Sequence, residues 1–302
     1  MHGGFVRSAA SAVVFLVAVA VAGAGAQALS VSYLEGDVQT RDGSAWSVLS
    51  IGDRLAPQAS IRLDAGAYLE LSGPGIRIAL NEQGIYALRD IVASARTLGS
   101  AGVGTAISSA LSRLAHGPVR LPSAVSGVRG EVMIAPEDFA WVTVDVQERL
   151  ETGKRDLADG DAEEAIAQFL IARDAATNDE MPQVSYYLAL AYSLKGDTRA
   201  ALKCAAGIQP HGADEWAPDF VILKAKLLID TNAFTQCVAW LTERDNDLSE
   251  DSQRAALYHF LLGVGYRGMG NVSSAKASLS KVVAISGESE VGKSAAQLLQ
   301  AP

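Results

Sequence analysis

The spacing of apolar residues changes along the chain, and each change marks a new kind of element. Between Leu29 and Leu88 the runs are short and alternating: Val31 with Tyr33, Val38 with Thr40, Trp46 with Val48 and Leu49, Ile61 with Leu63, Tyr68 with Leu69 and Leu71, Ile76 with Ile78 and Leu80, and Ile85 with Tyr86 and Leu88. A period of two is that of a strand with one buried face. Glu35-Gly36-Asp37, Asp42-Gly43, Gly52-Asp53, Asp64-Ala65-Gly66 and Ser72-Gly73-Pro74-Gly75 separate the runs. Turn signals at about ten-residue spacing predict an antiparallel sheet, sandwich or small barrel. Asn81-Glu82-Gln83-Gly84 predicts a further hairpin connection.

From residue 90 the period becomes helical. Ile91, Ala95 and Leu98, then Ile107, Leu111 and Leu114, keep helical spacing on either side of Gly99 to Gly104. Two amphipathic pieces or one broken helix fit this pattern, and a flexible Gly/Ser linker is the alternative. His116-Gly117-Pro118 ends any helix there.

The C-terminal half repeats. Gly153, Ala189, Ala225 and Gly263 form one series; Ala165, Ala201, Cys237 and Ala275 a second; Gly160, Gly196, Asn232 and Gly270 a third, and each steps by 36, 36 and 38 residues. A fixed period of this size predicts a helical solenoid. Small residues let paired helices approach closely, while Phe or Leu fills the space to the next pair. Four units are expected, at 146–181, 182–217, 218–255 and 256–288, with Ser289 to Leu299 as a capping helix. The third is the weakest, with Lys224, Cys237 and Arg244 at positions usually apolar or small.

The repeat half resembles the tetratricopeptide repeat. Ala189 with Tyr192 and Gly263 with Tyr266 fit its first helix, and Ala165, Phe169 and Ala172 fit its second; the proline usual after that second helix is absent. The first half resembles the FecR-like domain, through Gly36 and Val38, Trp46, Gly52 and Leu55, the strands from Ile61 to Ile78, and Gly127-Val128-Arg129-Gly130 after the helical insertion. The resemblances imply an α+β chain of two domains. An antiparallel all-β FecR-like domain spans about 29–135, with a helical insertion at about 90–116, and an all-α tetratricopeptide solenoid spans 138–302. In that family the first helix of each unit lines a groove for protein or peptide partners. Carried over, the groove positions are Leu150 and Lys154; Gln183, Tyr186, Leu190 and Ser193; Ile222, Lys226 and Ile229; and Phe260, Val264 and Arg267. Lys154, Lys226 and Arg267 would grip an acidic peptide or a C-terminal carboxylate, with Tyr186 and Phe260 as aromatic anchors.

Charge and composition narrow the function. The 302-residue chain carries 25 Lys+Arg against 34 Asp+Glu, for a net charge of −9, and has no basic cluster. That disfavours nucleic acid. Arg7 followed by the apolar run Ser11 to Gly25, with small residues around Ala26, predicts an export signal over residues 1–28. Cleavage would leave a soluble extracytoplasmic or periplasmic protein. An uncleaved signal would be the one membrane anchor, since the run is short of the ~20 residues of a bilayer span. Cys204 and Cys237, in two different repeat helices, read as packed thiols rather than a disulfide. The four scattered histidines supply no metal-ligand spacing.

Gly287 to Ser294 satisfies the phosphate-binding pattern G-x-x-x-x-G-K-[ST]. Its setting argues against a nucleotide. Only eight residues follow Ser294, and Glu288 and Glu290 would repel phosphate. With no convergent nucleophile, base and donor set, no enzyme and no cofactor are expected. The expected function is an exported scaffold or adaptor for protein partners in the bacterial envelope. The alternative is a polysaccharide- or peptidoglycan-associated protein with the β-domain as ligand module.

Overall fold

The computed structural model describes residues 29–115, 144–211, 214–244 and 251–301. The expected export signal, the Gly127–Gly130 segment and the boundary between the two halves lie outside these residues. Among the described residues the chain is an α+β protein of two regions, eight strands followed by eleven helices.

The strands are β1 (Leu29–Glu35), β2 (Val38–Arg41), β3 (Ser47–Val48), β4 (Arg54–Leu55), β5 (Ser60–Leu63), β6 (Tyr68–Gly73), β7 (Ile76–Leu80) and β8 (Gly84–Ala87). They form two four-stranded sheets, ordered β4-β1-β6-β7 and β3-β2-β5-β8, with every recorded pair antiparallel. Alternation decides which side chains enter the core. Leu29, Val31, Leu69, Leu71, Ile78 and Leu80 from the first sheet meet Val38, Ile61 and Leu63 from the second in one buried cluster. Gly36 has φ +78°, and a Cβ there would lie 2.9 Å from the Cα of Ala67, so the β1–β2 turn requires glycine.

One expected hairpin is absent. β7 pairs with β6 in the first sheet and β8 with β5 in the second, so residues 81–83 cross between sheets. The tight primed turns of two-residue hairpins need positive φ, and residues 81–84 contain none. Leu88, grouped by its spacing with the last strand, instead opens helix α1 (Leu88–Ser100). A break at Gly102, φ +66°, separates α1 from α2 (Val103–Ala115). The insertion is therefore a bent pair of helices.

The remaining helices form successive hairpins: α3 (Val146–Asp159) with α4 (Ala162–Ala175), α5 (Met181–Lys195) with α6 (Thr198–Ala205), α7 (Ala217–Asp230) with α8 (Phe234–Thr242), and α9 (Ser252–Gly268) with α10 (Val272–Ser286). A last helix, α11 (Glu290–Gln300), packs on α10 and α9. Each helix from α3 to α11 packs on the next, and α3, α5, α7, α9 and α11 also meet one another in sequence. All four hairpin turns are left-handed: φ is +90° at Gly160, +85° at Gly196, +54° at Asn232 and +77° at Gly270. The small-residue positions are close contacts. A Cβ on Gly153 would lie 2.4 Å from the Phe169 ring, and one on Gly263 2.7 Å from Leu279. Helix α9 starts at Ser252, four residues before the expected start of the fourth unit, because Asp251 caps it by accepting from the backbone N–H groups of Gln253 and Arg254.

Candidate functional site

Helices α3, α5, α7, α9 and α11 form the row on which a groove was expected, and helix α2 lies against α3, α7 and α11. Val103, Ala106, Ile107, Ala110 and Leu111 of α2 are all buried, in a single core with the repeat helices. Their spacing is one helical stripe, and an apolar stripe is stable only against an apolar partner. The repeat row supplies it. Helix α7 is consequently buried on all sides, with Phe220, Val221, Ile222, Leu223, Ala225, Leu227, Leu228 and Ile229 among its buried residues.

Most of the expected groove residues lie inside the fold. Tyr186, Leu190 and Phe260 are 3%, 1% and 0% exposed, so they are core residues and not open anchors. Tyr186 stacks on Trp216, with ring centroids 5.5 Å apart, and burial pushes its phenol well above the usual range. Gln183 is half-buried. The three cations are also committed internally. Lys226 is buried and pairs with Asp230 one turn on, as a buried ammonium requires. Lys154 lies 2.8 Å from Glu151 and 4.8 Å from the centre of the Tyr187 ring. Burial is the largest influence on its pKa and works downward, but Glu151 and Tyr187 outweigh it and hold the ammonium above its usual value. Arg267 donates from Nη1 to the carbonyl of Leu298 at 3.2 Å and from both terminal nitrogens to that of Ala301 at 3.4 Å, closing the end of α11. The expected acid-gripping trio is thus not assembled into one open site.

The Gly287–Ser294 segment follows the end of α10 and comprises a short turn and the start of α11, with a helix and not a strand before it. Ser289 caps α11, its Oγ accepting from the Gly292 N–H at 3.0 Å. Ser294 is buried and donates to the carbonyl of Ala101, at the α1–α2 break, at 2.5 Å. The hydroxyl that a nucleotide site would turn to magnesium is here a tie to the insertion.

Further ties join the two regions. Asn232 Nδ2 donates to the Ala79 carbonyl of edge strand β7 at 2.8 Å. Arg199 Nη1 donates to the Tyr33 hydroxyl at 2.7 Å, and its guanidinium lies 4.3 Å from the centre of that ring. Lys203 pairs with Glu35 at 3.5 Å. Glu82, beside Thr235, has its carboxyl pushed up by burial, partly offset by hydrogen bonds from Thr235. The unusual third unit is explained locally. The Lys224 ammonium and Arg244 guanidinium lie 3.9 and 3.4 Å from the centre of the Trp240 ring, and burial followed by Arg244 lowers the Lys224 pKa. Cys237 is a buried free thiol pushed up to about 12 by burial, and Cys204 is free as well.

A different surface stays open. On the second sheet Val48, Gln39, Arg62 and Ile85 are direct cross-strand neighbours, so they share its outer face. Val48 is 75% and Ile85 65% exposed. The guanidiniums of Arg41 and Arg62 lie 4.7 and 5.0 Å from the centre of the Trp46 ring. In the sequence Trp46 marks a short strand with Val48 and Leu49 and part of a family resemblance, and nothing there points to its packing with Arg41 and Arg62. Val48 and Ile85 read in the sequence as ordinary apolar strand residues, and only the sheet order shows that they face outward.

Cavities also lie between the elements. One of about 290 Å³ lies between α2, α9 and α11, beside Arg113 and Ser252. One of about 380 Å³ lies between Tyr33, Glu70 and Arg77 and the α5–α6 turn. Among the described residues no group of three His, Cys, Asp or Glu could hold a metal, and no helix is long and apolar enough to cross a membrane. Comparison with family models, curated proteins and solved structures finds no match to this chain.

Proposed function

We propose that this chain is an exported, non-enzymatic adaptor, a FecR-like β-domain fixed to a tetratricopeptide-like array. The observation that carries the reading is the packing of α2 along the first-helix row, with Ile107 0% and Leu111 2% exposed. A repeat groove in this family usually receives a partner's segment. Here the chain's own insertion lies against that row, and the ties at Asn232, Arg199 and Ser294 hold the β-domain to the array. The array then serves as a rigid mount. Docking of an envelope protein passes to the open face of the β-domain rather than to Lys154, Gln183, Tyr186, Leu190, Lys226, Phe260 and Arg267.

A photo-reactive residue at Val48 in the full chain, expressed in its own cell envelope, tests this. Crosslinks to a specific protein from Val48, with none from the same probe at Gln183, are expected. Crosslinks from Gln183 alone would return the function to the repeat row. Crosslinks from neither position would remove the adaptor reading. Crosslinking of Val48 to glycan alone would favour the polysaccharide-associated alternative.

A further inference from the structure

Resting on that adaptor reading, we infer that the outer face of the second sheet binds a protein segment that presents an acidic side chain between two apolar ones on one side. Val48, Gln39, Arg62 and Ile85 form one row across four strands, about 14 Å long at ~4.8 Å per strand. The ends of the row are apolar and exposed, and its middle carries a guanidinium and an amide. Arg41 lies on the same face two residues along β2 from Gln39, and both arginines pack on Trp46. Gln39 orients Arg62, accepting from its Nη2 at 2.5 Å.

Charge complementarity selects the occupant. In a chain of net charge −9, this face presents two guanidiniums. Among the described residues neither pairs with a carboxylate; Asp42, next to Arg41, accepts from Gln58 instead. Stacking on an indole leaves the edge of a guanidinium free for a carboxylate. An acidic residue between two apolar ones matches the row of Val48, Arg62 and Ile85. A glycan matches it less well. The guanidiniums of Arg41 and Arg62 already lie over the Trp46 ring and compete with a pyranose for it, and Val48 and Ile85 offer a sugar nothing polar.

The test uses the full chain and a fluorescein-labelled synthetic peptide repeating Ile-Ser-Glu-Ser, which in extended form sets Ile and Glu in turn on one side, followed by anisotropy. Binding at low salt that weakens as salt is added is expected. Arg41→Glu with Arg62→Glu should weaken it by at least about tenfold, and Arg41→Gln with Arg62→Gln covers the event that charge reversal disturbs folding. Equal binding of a Lys/Ile counterpart, or of the acidic peptide by the glutamine variant, overturns the inference. Binding of an anionic polysaccharide but not the peptide also overturns it and assigns the face to glycan. If no peptide binds while Val48 still crosslinks to an envelope protein, the partner chemistry is wrong and the adaptor reading stands. If the peptide binds but Val48 crosslinks to nothing in the envelope, the recognition chemistry holds and the adaptor reading fails.

Discussion

Asn232 occupies the turn position that is glycine in the other three hairpins, and its replacement separates two effects. The residue adopts φ +54°, which an ordinary L-residue reaches at a cost of roughly 1–2 kcal/mol. Asparagine tolerates this region better than most residues. Its side chain also donates to the Ala79 carbonyl of β7, 153 positions away. Removing that donor leaves a buried carbonyl unpartnered, at about 1–3 kcal/mol. Asn232→Ala suffers both losses and should destabilise the protein by about 2–4 kcal/mol. Asn232→Gly loses the tie but relaxes the backbone, so its net cost should be smaller, about 0.5–2 kcal/mol. The order is therefore wild type, then glycine, then alanine. Denaturant unfolding followed by circular dichroism, with hydrogen exchange over β7, measures it. An Asn232→Gly protein as stable as wild type, with unchanged exchange over β7, would refute the idea that this turn was altered to hold the sheet edge.

Three other outcomes follow from the packing and electrostatics. Ile107→Ala and Leu111→Ala in α2 should each cost about 2–5 kcal/mol by denaturant titration, because both side chains are fully enclosed by the repeat helices. Gly153→Ala would put a methyl 2.4 Å from the Phe169 ring and should lower stability by about 1–3 kcal/mol, with partial recovery when Phe169→Leu is added. Glu82 has a folded-state pKa above its ordinary 4.5. Below that value both states are protonated and the group is neutral toward stability; as pH rises through the window above 4.5 the unfolded state ionises first, and stability falls. Glu82→Gln should therefore stabilise the protein at pH 7, and the gain should vanish below pH 4.5 in a thermal-melt series.

Local features were legible where local physics decides them. The series Gly160, Gly196, Asn232 and Gly270 marks turns because each needs a left-handed backbone. Gly153 and Gly263 mark close helix contacts because no Cβ fits. Strand alternation identified Val31, Ile61, Leu69 and Leu71 as core. Long-range pairing was not legible. Nothing in residues 81–84 reveals that β7 and β8 join different sheets. The stripe of α2 shows that the helix needs a partner, without naming which surface supplies it. The groove residues were misjudged for the same reason. Tyr186, Leu190 and Phe260 are enclosed within the repeat core, Tyr186 against Trp216 and Phe220, and their spacing along the chain does not show which neighbours enclose them. A clue was present in α7, whose run Phe220-Val221-Ile222-Leu223-Lys224-Ala225-Lys226-Leu227-Leu228-Ile229 has no broad polar face.

Hydrogen exchange across residues 103–113 of the full chain tests the internal occupation of the repeat row most directly. A helix enclosed by α3, α7 and α11 should exchange as slowly as α7, through the same global opening. Exchange at rates near those of an unstructured peptide, while α7 stays protected, would contradict the account and return the row to an external ligand.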